Sequence, residues 1–255
     1  NGNNITALRV KGSFDDCQDM VKKAFLDKEL NNKFNLTSAN SINVARWLPQ
    51  AFYYFYAVKK LKKKNLVFSV PSGNFGNICA GIIAMKLGLP IDHFVASTNV
   101  NDTIPRYFKS KVLSPKPTIQ TISNAMDVSN PSNFIRIQEM FENFDTLSSF
   151  LSSYSFDDYQ TLEIVKEIYN NKNYIMDPHG AVGYLGLKKY LKNKPNKIGV
   201  FLETAHPIKF SKHIENTIDV KLKIPKKINK ILFKNKKYID IENYNDFKKK
   251  ILNMF

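Results

Sequence analysis

Three stretches of this chain carry side chains whose types and spacing suit anion binding: "VPSGNFGN" at Val70–Asn77, "NSINVAR" at Asn40–Arg46 and "ETAHPIKF" at Glu203–Phe210. In the first, Gly73 and Gly76 allow backbone conformations and close approaches that a side chain would block. An apolar run, "ICAGIIAMKLGL", follows directly. A helix starting there turns unpaired N–H groups and its positive dipole end toward the loop, which suits a phosphate. Asn74 and Asn77 add amides, and Ser72 a hydroxyl. No Gly-Lys-Ser/Thr is present and G-x-x-G falls short of the dinucleotide fingerprint, so a small phosphorylated ligand fits better than ATP or a dinucleotide. A ligand-free strand-to-helix turn explains the same letters equally well. In the second stretch Asn43 and Arg46 stand at i and i+3 on one helical face, with Asn40 and Ser41 at its start. Amides, hydroxyl, guanidinium and helix start together suit a dianion, while a cap followed by a surface Arg is the plainer alternative. In the third, Thr204 reads locally as a cap after a strand, and His206 as a residue that shapes the turn.

The elements that must position these stretches follow from hydrophobic periodicity. "NLVFSV" reads as a buried strand, "NICAGIIAMKLGL" as a helix ending near Gly88 and Pro90, and "DHFVAST" as the next strand. Strand, glycine loop, helix, strand is a βαβ unit, so the fold class is α/β, with a parallel sheet and helices on its faces. Upstream, "ITALRV" predicts a short strand and "SFDDCQDMVKKAFLD" a Ser-capped helix. "SINVARWLPQAFYYFYAVKKLKKK" is helical with a basic end, and Pro49 should kink or divide it. Beyond "NDTIPRYFKS" the pattern loosens through "KPTIQTISNAMDVSNPSN" into "FIRIQEMFENF". Helices are predicted at "YQTLEIVKEIYNN" and "HGAVGYLGLKKYLKN", a strand at "KIGVFLETA" and a further helix opening in "HPIKFSKHIEN". The tail is basic and ends in an amphipathic stretch. "KKLKKKN" at 59–65 is the best interior boundary.

A chain of 255 residues, 43% hydrophobic, buries a full core as one large domain or two modest ones. The net charge of +16 invites a nucleic-acid reading, but among the 38 basic residues only Arg9, Arg46, Arg106 and Arg136 are arginine. Base-edge and bidentate phosphate recognition favour Arg, and abundant Lys, Asn, Ile, Phe and Tyr is what AT-rich codons supply. The basic surface therefore reads as solvated, with no nucleic-acid partner expected, and the surviving arginines mark positions where a planar fork is needed. Only Cys17 and Cys79 are present, in no metal-like spacing, and no run spans a bilayer. A cytoplasmic location and no membrane association are expected. The start, "NGNNITALRV", reads as internal to a longer sequence.

Together, "VPSGNFGN", "NSINVAR" and "ETAHPIKF", with "GSFDDCQ", "SANSINVARWLPQ", "STNVNDTIPRYF", "AMDVSNPSNFIR" and "DPHGAVGY" in the same order, resemble the threonine synthase family. The resemblance covers nearly the whole chain and fades in the tail. It implies the tryptophan-synthase-β-like fold type II, with an N-terminal part absent. Residues 1–62 would be what remains of a smaller, substrate-side domain, and residues 63–255 the cofactor-phosphate domain with its basic tail. It implies pyridoxal 5′-phosphate as cofactor, with Gly73, Asn74, Phe75, Gly76 and Asn77 around its phosphate and Thr204 against the pyridine nitrogen. Relatives often carry Asp at the position of Asn77, where an amide can still donate. Asn40, Ser41, Asn43 and Arg46 are implied to bind the phosphate of the substrate, O-phospho-L-homoserine. The implied reaction takes that substrate and water to L-threonine and phosphate. The family's Schiff-base lysine lies in an N-terminal segment preceding everything seen here, so no catalytic residue is named, and the isolated fragment is expected to be inactive. Lys209 does not match that lysine's context. Another fold-type-II lyase and a noncatalytic phosphate-ligand binder are the competing readings. Asn99, Asn101, Asp102, Arg106, Asp127, Ser132, Asn133 and Arg136 are accounted for by caps and Asx turns and stay outside the expected site.

Overall fold

The computed structural model describes residues 4–232 and 234–254; residues 1–3, Phe233 and Phe255 of the stretches above lie outside them. Among the described residues there are six strands: β1 (Leu8–Val10), β2 (Leu66–Pro71), β3 (Ile91–Thr98), β4 (Leu151–Ser155), β5 (Ile198–Phe201) and β6 (Ile239–Ile241). Residues 38–222 form one compact unit, and residues 1–37 with 223–255 form another. This grouping departs from the division expected at residue 62. Residues 38–62 join the sheet-bearing unit because Trp47 and Tyr54 are buried in the same core as β2 and β3.

In the larger unit, all strands run parallel in the order β4-β3-β2-β5. The pleat sends alternate residues to opposite faces. Leu66, Phe68, Val70, Phe94 and Ala96 pack with Ile78 and Ile82 of the helix Gly76–Lys86 and with Tyr54 of the helix Ala51–Leu61. Val67 and Val95 face the other way, onto Leu187 and Tyr190 of the helix Pro178–Leu191. Because both faces are covered, β2 reads as an unbroken apolar run. Tyr54, Phe68 and Phe94 are fully buried, each worth about 2–3 kcal/mol of transfer free energy.

Pro49 divides the long helical pattern: Val44–Trp47 is helical, Leu48–Gln50 is a 3-10 turn, and Ala51–Leu61 resumes. The predicted helix after Ser13 spans Phe14–Leu26 and has a full capping box with Asp16. In the smaller unit, β1 pairs with β6 in parallel, and Arg9 grips Asp240 with both arms of its fork, at 2.6 and 3.0 Å. The final amphipathic stretch is the helix Tyr244–Met254, whose Lys248 pairs with Asp27. Among the described residues, no helix is long and apolar enough to cross a membrane.

Candidate functional site

The chain leaves β2 by the helix Gly76–Lys86 to reach β3, continues outward to β4, and returns to β5 on the opposite flank of β2. The strand order therefore reverses at β2. In open parallel sheets, the crevice outside the carboxyl ends of the strands at such a point is where ligands bind. The glycine loop leaves β2 there. The Thr204 segment leaves β5 at the same edge, with Leu202 N donating to Ser69 O at 3.1 Å.

Phe75 occupies the left-handed region at φ 61° and turns the chain into the helix. A bulky residue there is strained, and its ring is anchored by burial against Phe134, with centroids 5.7 Å apart. The helical ladder begins with Cys79 N donating to Phe75 O, which leaves the amides of Gly76, Asn77 and Ile78 without a helical acceptor. A Cβ on Gly73 would stand 2.8 Å from Met126 Cα and 3.0 Å from Ala125 O, and one on Gly76 would stand 2.7 Å from Ser41 Cβ. The two glycines thus let two distant segments close on the loop, and the cradle presents backbone donors at a helix start. That donor set fits a phosphate dianion.

The loop's polar side chains hold its frame. Ser72 donates to Val70 O at 2.9 Å and is buried. Asn74 Oδ1 accepts from Ser132 N at 2.7 Å and from Ser132 Oγ at 3.0 Å, while its Nδ2 donates to Ser41 Oγ at 3.0 Å. Asn77 Oδ1 accepts from the hydroxyls of Tyr53 and Tyr54.

In the second stretch, Asn40 Oδ1 accepts from Ile42 N at 3.2 Å, and Asn43 caps the helix Val44–Trp47 by accepting from Ala45 N at 3.0 Å. Those contacts match the cap alternative. Ser41 is brought against the glycine loop. Arg46 is exposed; its backbone N donates to Asn43 O at 3.0 Å, and among the described residues its guanidinium makes no ion pair or hydrogen bond. The arginine that organises this segment is Arg136, which donates to Ser41 O at 3.1 Å and to Ile42 O at 2.7 Å. The fully buried Asn133 donates to Ser41 Oγ at 3.0 Å and to Asn74 O at 2.9 Å. Caps and Asx turns had accounted for Ser132, Asn133 and Arg136 in the sequence; survival of an Arg in a Lys-biased chain was the one signal that pointed further.

At the third stretch Thr204 is exposed, and His206 accepts from Ile208 N at 3.1 Å as the cap of a short 3-10 turn. Next to Thr204, Glu203 is an exposed residue whose carboxyl lies over Gly180, 2.5 Å from where a Cβ would stand. Asp177, fully buried at the start of the helix Pro178–Leu191, accepts from His179 N and Nδ1 at 2.9 and 2.7 Å. His179 Nε2 in turn accepts from Ala125 N at 3.3 Å, which assigns the ring proton to Nδ1. Asp177 Oδ2 is buried and makes no hydrogen bond among the described residues, and the Asp177 carboxyl interacts with that of Glu203. Burial, and then Asp177, push the Glu203 carboxyl up to about 9. Burial works to raise Asp177 too, but donation from His179 and then from Glu203 brings it below its ordinary value. Two adjacent carboxyls cannot both ionise, so Asp177 carries the charge and Glu203 the proton.

Comparison with known proteins bears on this site. A family profile described as pyridoxal-phosphate dependent enzyme matches residues 2–202, and one described as threonine synthase, C-terminal, matches residues 180–251. The threonine synthase of Haemophilus influenzae is 47% identical over 232 residues, covering 90% of this chain and 54% of that protein. That of Saccharomyces cerevisiae is 36% identical, covering 84% of this chain and 51% of that one. The crystal structure of threonine synthase from Escherichia coli superposes with a TM-score of 0.95 at 40% identity, over 100% of this chain and 60% of that one. A PLP-bound threonine synthase from Brucella melitensis superposes at 0.83 and 30% identity, over 98% of this chain and 60% of that one. The chain spans about half the length of the curated relatives it matches.

Proposed function

Because the chain belongs to the pyridoxal-phosphate-dependent enzyme family, we propose that the protein of which it forms part is a threonine synthase, converting O-phospho-L-homoserine and water to L-threonine and phosphate. The observation that carries the reading is the glycine loop at the switch point beside β2. Its strained Phe75 and helix-start amides without helical acceptors form a cradle with the charge preference of a cofactor phosphate. Pyridoxal phosphate, when bound, supplies the electron sink that makes the substrate's Cα and then Cβ acidic enough for loss of phosphate from Cγ.

On this reading, Gly73, Asn74, Phe75, Gly76 and Asn77 seat the cofactor phosphate. The amides of Gly76 and Asn77 are the donors, and the Asn74 side chain holds the shape. Thr204 offers a neutral hydroxyl at the pyridine end, which leaves the ring nitrogen largely unprotonated. The segment Asn40, Ser41, Asn43 and Arg46 takes the substrate phosphate. There the exposed guanidinium of Arg46 is the group able to form a bidentate pair with a dianion. The lysine that holds the cofactor aldehyde is expected upstream of this chain, so these residues supply binding and orientation, and the chain alone is expected to be inactive.

The test is phosphate release from O-phospho-L-homoserine, with threonine identified as the second product, using the full-length protein loaded with pyridoxal phosphate. Release without threonine rejects the assignment in favour of another elimination. Arg46→Lys, which keeps charge and loses the fork, should raise KM for the phosphorylated substrate about tenfold or more and leave cofactor affinity within about twofold. Equal loss of both would reject the separation of the two anion sites.

A further inference from the structure

We propose that Arg136 is a positioning residue that couples the two anion sites, so that filling the cofactor-phosphate loop favours binding of the substrate phosphate, and the reverse. The inference rests on the assignment of those two sites above and adds a linkage between them.

The two sites belong to separate stretches, with Ser41 and Asn74 33 positions apart, yet one short helix, Phe134–Glu139, with the two residues before it, holds both. Arg136 fixes the carbonyls of Ser41 and Ile42 with two arms of its guanidinium and also donates to Asn133 Oδ1. Asn133 then divides its Nδ2 between Ser41 Oγ and Asn74 O, one acceptor in each site. Ser132 closes the far side by donating backbone and hydroxyl protons to Asn74 Oδ1. Asn74 Nδ2 completes the circuit on Ser41 Oγ. Neither Asn133 nor Arg136 lies in the glycine loop or the Asn40–Arg46 segment, so both act through other residues.

The segment before Val44 has only bends and turns, so ordering it costs conformational entropy. A ligand that immobilises either end of this closed circuit meets part of that cost for the other, which is positive coupling, and linkage makes it reciprocal. Three carbonyl-type acceptors in fixed directions require a planar fork; an ammonium cannot hold all three in that geometry. Two dianions with no such connection would instead repel, so the sign of the coupling discriminates.

The experiment titrates pyridoxine 5′-phosphate, a cofactor analogue with no aldehyde, into the full-length protein by fluorescence, with and without saturating O-phospho-L-homoserine. The analogue permits no turnover, so binding alone is read. In the unaltered protein, the substrate should tighten the analogue at least about fivefold. Arg136→Gln and Arg136→Lys should each bring that factor below about twofold while both ligands still bind singly. Asn133→Ala, with folding checked by its melting temperature, should do the same. The inference is overturned by weakening or no change in the unaltered protein, or by an unchanged factor in the variants. Failure of the analogue to bind the unaltered protein at all would instead count against the proposed function.

Discussion

Gly76→Ala is the sharpest test of how the glycine loop is built. Gly76 does not have positive φ, so alanine meets no backbone strain, and any cost comes from its Cβ. That carbon would stand 2.7 Å from Ser41 Cβ and 3.3 Å from Ser41 Oγ, where a normal contact needs about 3.5 Å or more. Side-chain rotation leaves this Cβ in place, so the Ser41 backbone must shift, although its hydroxyl accepts from Asn74 and Asn133 and its carbonyl is held by Arg136. Moving it gives up at least the two hydrogen bonds its hydroxyl accepts, about 2 kcal/mol together. Alanine at the first helical position returns up to about 1 kcal/mol over glycine. The net expectation is destabilisation of about 1–2 kcal/mol, with a larger proportional loss of phosphate-ligand affinity because the helix-start amides shift with the loop. The chain's single tryptophan, Trp47, is buried beside Arg136 and reports urea unfolding directly. Ser41→Gly removes the obstructing carbon, so the double variant should be no less stable than Ser41→Gly alone. A neutral or stabilising Gly76→Ala would refute the close approach.

Two further outcomes concern pH. His93 is buried, lies between Ser149 O at 3.1 Å and Ser152 Oγ at 2.9 Å, and stacks on Tyr190; burial, the leading cause, lowers its pKa to about 4 from 6.5. The unfolded chain therefore takes up this proton first. Stability should be fully present above pH 6.5 and fall by about 3 kcal/mol as pH drops toward 4; urea midpoints for His93→Gln should lose that part of the dependence, and an unchanged profile would refute the assignment. Gly180→Ala should expel the flexible Glu203 carboxyl from Asp177. Glu203 holds its proton more tightly folded than unfolded, so its contribution to stability declines as pH rises from the ordinary carboxylate range toward about 9. Denaturation of Gly180→Ala at about pH 6 and about pH 9 should show a smaller difference than in the unaltered protein, and an equal difference would contradict the pairing.

What the sequence made legible was local. Ser13 announces a capped helix from its neighbours alone, and the structure completes that cap as a box with Asp16. Pro49 must interrupt a helix and does so. The βαβ unit follows from apolar runs bounded by glycine. The strand β4, "LSSYS", has no such pattern, because its three serines obscure the alternation and its pairing with β3 comes from tertiary context. The pairing of β1 with β6 joins residues 231 positions apart, as the Arg9–Asp240 contact shows, and no local pattern encodes it. The site divides in the same way. Its glycine loop was readable, but the contacts from Arg136 to Ser41 and Ile42 span 95 and 94 positions. The Lys bias was the only available pointer, and the fork is used at three of the four arginines: Arg136 engages three acceptors, Arg9 both carboxylate oxygens of Asp240, and Arg106 Asp102 together with Thr103.

The polar letters of the loop invited assignment as ligand donors, and the structure gives most of them another task for a physical reason. Phe75 in the left-handed region costs on the order of 1–3 kcal/mol, a conformation that persists only where its surroundings over-determine it. Burial of its ring on Phe134, with Asn74 tied to Ser132 and Ser41 and Asn77 to Tyr53 and Tyr54, supplies that determination on both sides of the strained residue. Backbone amides cannot choose their direction; the residues around them must choose it. An anion cradle made of main-chain donors therefore concentrates its sequence requirements in groups that never reach the anion. For the same reason, substitution of Asn74 or Asn133 should disturb phosphate binding through geometry and leave the charge of the site unchanged.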